Sequence, residues 1–423
     1  MDSIEQRLRA GALDETLALL YGRDKTDGQR ARYGAVLDEF RRTFGERDGC
    51  ALFSAPGRSE IGGNHTDHQL GRVLAAAVTL DMIAAVAPRG DDTVCIRSEG
   101  YEPLRLSLGR LEPDERERGT SAALVRGIAA WLRRAGHTVG GFDAVIASGV
   151  PAGSGLSSSA AFGVLIGTIL SGLCNGGAVP PAELALASKH AENRYFGKPS
   201  GLMDQLACAV GGMAAIDFID PERPKIERVE CDLRLLGYEI AVVNAGGSHA
   251  GLTAEYATIP AEMGAVARLF GKTVLREVDE REFYDSLGAL RGKVPDRALL
   301  RAMHFFAENE RVGRLVAAFR ARDGAAVLKL INESGRSSAL LLQNVCPADE
   351  RERSVSLALA LSERLLGGDG AWRVHGGGFA GTIQAFVPIE RFGEYEREME
   401  RVFGTGCCYR LSVRPAGGVQ IGG

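Results

Sequence analysis

Apolar and polar positions change their spacing several times along the chain, and each change marks an element. Helical spacing opens it: two helices are expected over Ile4–Tyr21 and Gln29–Phe44. "ALFSAPGR", "VLAAAVTLDMIAAVAP" and "DTVCIRSE" read as strands of one sheet, with a Gly- and His-rich loop after the first. "TSAALVRGIAAWLRRAG" is a strongly amphipathic helix, capped by Thr120 or Ser121, basic at its end and stopped by Gly136. "GFDAVIASGVP" is a strand that runs into a turn of glycine and serine. "PPAELALASKHAENRYFG" is a further helix, with Pro181 near its first position and Gly197 as terminator.

After "MDQLACAVGG" the texture changes. "MAAIDFI", "YEIAVVNAG", "WRVHGGGF", "GTIQAFVP" and "CCYRLSVRP" are short strand-like runs. Helical blocks separate them at Glu255–Leu269, Asp296–Arg320, Ala325–Leu341 and Asp349–Leu366. The pattern predicts an α+β fold in two halves, with a boundary near Leu202–Gly212.

Composition narrows the class without fixing it. A chain of 423 residues, 45% hydrophobic and 25% charged, suits a globular protein of two or three domains. A net charge of -4 gives no strong pull toward nucleic acid or an anionic membrane. The start, "MDSIEQRLRAGALDETL", has no apolar signal region, and the apolar stretch Val73–Pro88 is interrupted by Asp81 and too short to span a bilayer. Eight scattered cysteines without a CxxC pair read as reduced thiols, so a cytoplasmic location is expected. The vicinal Cys407–Cys408 pair reads as two strand residues facing opposite ways.

Three stretches carry candidate chemistry. In "GVPAGSGLSSSAAFG", Gly153 and Gly155 let the backbone turn, and Ser157, Ser158 and Ser159 bring hydroxyls to the first turn of the next helix. Orphan amides and the helix dipole there attract an anion, so the turn reads as a nest for nucleotide phosphates. A plain capped helix start is the competing reading, but three serines after two glycines exceed what a cap needs. Other phosphate fingerprints fail: there is no GxxxxGK[ST], and the GxGxxG match at Gly376, Gly378 and Gly381 runs into a strand-like segment.

In "APGRSEIGGNHTDHQLG", Arg58 can meet a phosphate, while Asn64, His65, Asp67 and His68 crowd one loop and can pair with sugar hydroxyls. An Asx-turn at Asp67 is the plainer alternative, and a metal on His65 and His68 lacks further ligands at useful spacing. In "HAENRYFGKPSGLMDQ", Glu192 and Asp204 are two carboxylates separated by a Gly/Pro loop, suited to a magnesium ligand and a catalytic base. Taken singly, Asp204 also reads as an N-cap and Glu192 as a solvated helix position.

Together with the late "HGGGFAG", these stretches follow the order and spacing of the GHMP kinases, and within them the chain resembles the galactokinases from about Leu52 to its end. The helices ahead of it are expected to form an extension over 1–48, longer than most of the family carries; the resemblance implies a ribosomal-S5-domain-2-like domain over 49–205 and a ferredoxin-like domain over 206–423. It implies transfer of a phosphoryl group from ATP to the anomeric hydroxyl of galactose, with Mg²⁺. Asp204 would orient or deprotonate that hydroxyl, and Arg58 would stabilise the transferring group. Ser158 and Glu192 would bind magnesium. Gly153, Ser154, Gly155, Leu156, Ser157, Ser158 and Ser159 would form the phosphate loop. Asn64, His65, Asp67, Gly201 and Tyr256 would contact the sugar, with Gly377 and Gly378 supporting the loop beside it. A small-molecule sugar is the implied partner, and the implied assembly a monomer or weak homodimer.

The chain departs from the family in two places. Asn64 stands where a glutamate usually precedes His-Thr-Asp, and His68-Gln69 replaces the common Tyr-Asn. An amide loses the negative charge expected near the sugar's C6 hydroxyl, so galacturonate or another C6-altered sugar is the alternative substrate. A catalytically idle sugar sensor is the alternative from another class.

Overall fold

The computed structural model describes residues 3–151, 153–246, 253–347, 351–379 and 381–422. Three helices come first: α1 (Ile4–Arg9), α2 (Asp14–Tyr21) and α3 (Thr26–Phe44). The single helix expected over Ile4–Tyr21 is therefore two, because the chain turns at Gly11 (φ 76°). Next come β1 (Ala51–Gly62), β2 (Arg72–Pro88), β3 (Thr93–Ser98) and β4 (Leu104–Ser107), then α4 (Ser121–Arg134) and β5 (Phe142–Ser148). Helices α5 (Ser158–Asn175), α6 (Pro181–Ala191) and α7 (Met203–Val210) lead to β6 (Met213–Asp217), β7 (Lys225–Val229) and β8 (Tyr238–Gly246). The later elements are α8 (Thr253–Leu269), α9 (Glu280–Asp285), α10 (Leu287–Leu290), α11 (Asp296–Arg320), α12 (Gly324–Ser337) and α13 (Ser354–Leu366). Strands β9 (Ala371–Val374) and β10 (Gly381–Pro388), helix α14 (Phe392–Phe403), and strands β11 (Cys408–Leu411) and β12 (Val419–Ile421) complete the chain. The start of the helix expected at Asp349 lies outside the described residues.

Two sheets result. The larger has the order β12-β1-β2-β5-β3-β4, with β6 and β7 continuing from the other end of the long β2; the smaller is β11-β8-β10-β9. Residues of β2 alternate between two cores: Met82, Ala84 and Val86 face the helices α4 to α7, while Ile83, Ala85 and Ala87 face α1 to α3. A strand covered on both faces needs apolar residues at successive positions, which explains the apolar stretches on either side of Asp81. The N-terminal helices are thus the second cover of this sheet, packed on Leu52, Val145 and Ile421.

Sheet membership changes between Val229 and Tyr238 rather than at the expected 205/206 division. Strand β6 pairs with Arg72–Ala76 of β2, and β12 returns to pair with β1, so residues from both sides of that division share one sheet. Thr120 precedes α4, but its hydroxyl donates to the Glu117 carbonyl instead of capping the helix. Cys407 lies just ahead of β11, and both vicinal thiols are buried in one cluster rather than facing opposite ways. Helix α5 is long and apolar enough to cross a membrane, yet most of it is buried as a core helix of this domain.

Candidate active site

Strand β1 carries Arg58 to the serine-rich turn after β5 and to α7. Its pairing with β2 slips between Pro56 and Arg58, and such a bulge re-aims a side chain. The main-chain amide of Arg58 donates to the Leu156 carbonyl (3.1 Å), and its Nη1 donates to the Gly155 carbonyl. The serine-rich turn after β5 is therefore tied to β1 at its far end. Gly155 has φ 70°, and a Cβ there would fall 2.9 Å from Nδ1 of His375, so both conformation and space require glycine. Ser154 is buried and spends its hydroxyl on the Pro151 carbonyl (2.7 Å).

Asp204 lies in the first turn of α7, where the helix dipole favours a carboxylate. Arg58 grips it with two bonds, Nε to Oδ1 and Nη2 to Oδ2, both 2.7 Å. The Ser157 hydroxyl donates to the same Oδ2 at 2.6 Å. Burial would push the Asp204 carboxyl up, but the Arg58 charge and the Arg58 and Ser157 hydrogen bonds overcome it and hold it below its usual range. Ser157 adopts φ 60°, ψ 62°, a left-handed conformation costly for a residue with a side chain and concentrated at functional sites. Asp204 is not the N-cap of its helix, which is Leu202.

Ser158 and Ser159 open the first turn of α5 and line a cavity of about 450 Å³ with Met82, Ile96, Leu104, Leu124 and Phe162. Lys198, which the sequence reading passed over, sets its ammonium 3.4 Å from the Ser159 hydroxyl. Its signal was a lone cation in the Gly/Pro loop ahead of Asp204. Glu192 is not on a solvated face: it is buried in a π-turn that ends α6. Its Oε2 accepts from Gln205 (3.0 Å), while Oε1 has no partner among the described residues.

The Gly- and His-rich loop meets the Gly376–Phe379 turn. His65 is buried, and this, followed by the neighbouring His68, pushes its pKa down to about 4. A neutral ring that donates from Nε2 to the Gly377 carbonyl (3.0 Å) leaves Nδ1 as an acceptor, and no group among the described residues reaches Nδ1. The carboxylate of Asp67 borders Gly201, where a Cβ would sit 2.8 Å from Oδ2. Asp67 also accepts the His68 amide at 3.0 Å, a local turn contact. Tyr256 donates to the Gly378 carbonyl (2.8 Å), and its ring passes so close to Gly377 that a Cβ there would lie 2.4 Å away. No group of three or more His, Cys, Asp and Glu suited to a metal occurs among the described residues.

Asn64 differs from expectation. It is buried with every polar atom of its side chain bound to protein: Nδ2 to Glu60 (3.1 Å) and the Gly376 carbonyl (2.8 Å), Oδ1 to Asn344 (2.8 Å) and Ser338 (3.2 Å). The carboxylate missing at position 64 stands beside it, on Glu60, paired with buried Arg373 at 2.6 Å. Burial pushes Glu60 up despite Arg373. Around this pair Ser59, His375, Thr382 and Gln384 join the two sheets by hydrogen bonds. The sequence reading missed this network; its faint signal was polar residues alternating along β9 and β10.

Comparison with known proteins identifies the family. The galactokinase galactose-binding signature matches residues 38–88, and the GHMP kinase N-terminal domain matches residues 123–212. The chain is 32% identical to a galactokinase of Streptomyces coelicolor over 363 residues, 85% of this chain and 89% of that one. It is 32% identical to a human galactokinase over 401 residues, 91% and 96% of the two chains. The fold superposes on Lactococcus lactis galactokinase in complex with galactose with a TM-score of 0.79 at 24% identity, covering 92% and 99% of the two chains. Methanococcus jannaschii mevalonate kinase shares the fold more distantly, with a TM-score of 0.62 at 15% identity. The chain belongs to the galactokinase family, within the GHMP kinases.

Proposed function

We propose that this chain phosphorylates the anomeric hydroxyl of galactose with ATP, giving galactose 1-phosphate and ADP. The observation that carries this reading is the Arg58–Asp204–Ser157 cluster at the mouth of the phosphate loop. Phosphoryl transfer requires positioning, neutralisation of phosphate charge and one group to receive the nucleophile's proton. The loop from Gly153 to Ser159 and the tip of α5 supply donors for the phosphates, with Lys198 beside them. The neighbouring cavity, lined by Met82, Ile96, Leu104 and Phe162, fits a flat nucleotide base.

Asp204 is ionised at neutral pH and accepts a hydrogen bond from the anomeric hydroxyl, aiming its oxygen at the γ-phosphorus. Its depressed basicity means that it takes the proton late, once the new O–P bond has begun to acidify the hydroxyl. Arg58, held against Asp204, offsets charge on the transferring group. On the sugar side, Nδ1 of His65 accepts a hydroxyl, Asp67 accepts another beside Gly201, and Tyr256 closes the pocket over Gly377. Ser158 and the Glu192 carboxylate, whose Oε1 has no partner among the described residues, would hold a Mg²⁺ that accompanies ATP, and the ion would offset phosphate charge.

The amide of Asn64 is consumed within the protein, so its presence does not by itself create a place for a C6 carboxylate. This favours galactose over galacturonate, and the intact cluster favours catalysis over a sensor. Eight unpaired thiols among the described residues suit a reducing compartment, and we assign the chain to the cytoplasm. ADP release measured with galactose and with galacturonate tests the reading. Galactose-dependent release abolished by Asp204→Asn supports it, and release with galacturonate alone overturns the choice of sugar.

A further inference from the structure

The N-terminal helices touch the phosphate loop through one buried acid. Asp81, in the middle of β2, is completely buried. Its carboxylate accepts hydrogen bonds from Tyr21 (2.5 Å), Arg32 Nη1 (2.5 Å), Arg414 Nη1 (2.7 Å) and Ser54. The Tyr33 hydroxyl stands 2.8 Å from that of Tyr21. Two arginines and three hydroxyls thus gather α2, α3, β1 and the segment ahead of β12 around one side chain. Its main-chain carbonyl has a second task. It accepts from Arg32 Nη2 (3.0 Å) and from the amide of Gly149 (2.8 Å), the first residue after β5. The serine-rich turn is therefore anchored at both ends, to Arg58 through Gly155 and Leu156, and to Asp81 through Gly149.

We propose that Arg32 is a positioning residue for the nucleotide. By holding the carboxylate and the carbonyl of Asp81 together, it fixes the strand from which Gly149 hangs, and with it the placement of the loop's phosphate-binding amides. The helices before β1 then form part of the nucleotide site rather than an appendage. The inference rests on the reading of this turn as the phosphate loop. Asp81 keeps Arg414, Tyr21 and Ser54 when Arg32 is lost, and the Arg32 side chain is 26% exposed, so water fills its place and the fold survives.

The test is steady-state kinetics and ATP-binding calorimetry on the full chain carrying Arg32→Met. The expected result is a rise of about tenfold in the KM and Kd for ATP, the loss of one charged hydrogen-bonding partner. The KM for galactose and kcat at saturating ATP should stay within about twofold of wild type. Arg32→Lys keeps the charge beside the carboxylate and gives up the carbonyl contact; it keeps the fold and also raises the KM for ATP, by a smaller factor. Arg30→Met removes the pairing of the same helix with Asp14 and leaves both KM values unchanged. An unaltered KM for ATP in either Arg32 variant overturns the proposal. So does an equal rise in both KM values, or an equal effect of Arg30→Met. Failure of the wild-type protein to bind ATP refutes instead the phosphate-loop reading beneath it.

Discussion

Ser157 and Asp204 meet at 2.6 Å, hydroxyl to carboxylate, although one closes the serine-rich turn and the other opens α7. The contact turns two separate sequence features into one site, because the same carboxylate oxygen also faces Arg58. An acid held this way is charged, aimed and weakly basic, and its replacement separates binding from chemistry. Asp204→Asn keeps the shape and loses the charge. Turnover should fall by about 10³-fold, within the range for a positioned proton acceptor, while ATP binding measured by calorimetry stays near wild type. Near-normal turnover removes Asp204 from the mechanism.

Ser157 serves chemistry at a conformational cost. Ser157→Ala loses the bond to Asp204 and keeps the left-handed backbone, whereas Ser157→Gly loses the bond and relieves the strain. Both variants should lower kcat/KM by about tenfold, the value of one hydrogen bond to a charged group. Thermal melting should rank the glycine variant as more stable than the alanine variant. The reverse ranking contradicts the strain at this position.

Glu60 and Asn64 form a matched acid–amide pair. Asn64→Glu places a second carboxylate beside Glu60, whose hydrogen-bonded cation is Arg373, and should destabilise the fold by about 3 kcal/mol or more. Adding Glu60→Asn restores the balance of one acid and one amide and should recover at least half of that loss. The melting temperatures of the single and double variants decide it; additive damage contradicts the pairing.

Three buried histidines make stability depend on pH. Burial, followed by the neighbouring Arg58 and Arg373, pushes His375 down to about 3; burial, then His68, pushes His65 to about 4; and burial lowers His304 too. In the unfolded chain each ring takes up a proton near its ordinary value of about 6.5. The unfolded state therefore binds more protons as pH falls below about 6.5, and stability declines from there toward pH 4. Urea unfolding at pH 7, 6 and 5 should show a decreasing midpoint; an unchanged midpoint contradicts neutral burial of these rings.

Legibility in the sequence followed the range of the interactions. Helix α11 spans Asp296–Arg320 as its spacing predicted, since helical periodicity is a local property. Arg58, Ser157 and Asp204 stood out because reactive residue types sat in glycine-rich turns, where packing does not call for them. Arg373 and His375 did not, because one is a lone polar residue on the short β9, the other follows that strand directly, and the partner of each in β1 lies more than 300 positions away. The role of the N-terminal helices was equally hidden: their amphipathic pattern says that they cover something, and only the two-sided burial of β2 identifies what. The place where the sheets divide escaped as well, because β6 belongs to the first sheet by its register with β2, a long-range pairing without a local mark.

Transfer of phosphate from ATP to the anomeric oxygen of galactose, under control of Asp204, leaves a distinct product. Phosphorus NMR of this chain incubated with ATP, magnesium and galactose reads the product directly. The expected result is a sugar 1-phosphate resonance that grows with ADP and is absent with Asp204→Asn. Growth of ADP without a sugar phosphate, or a phosphate on any other hydroxyl, contradicts the account.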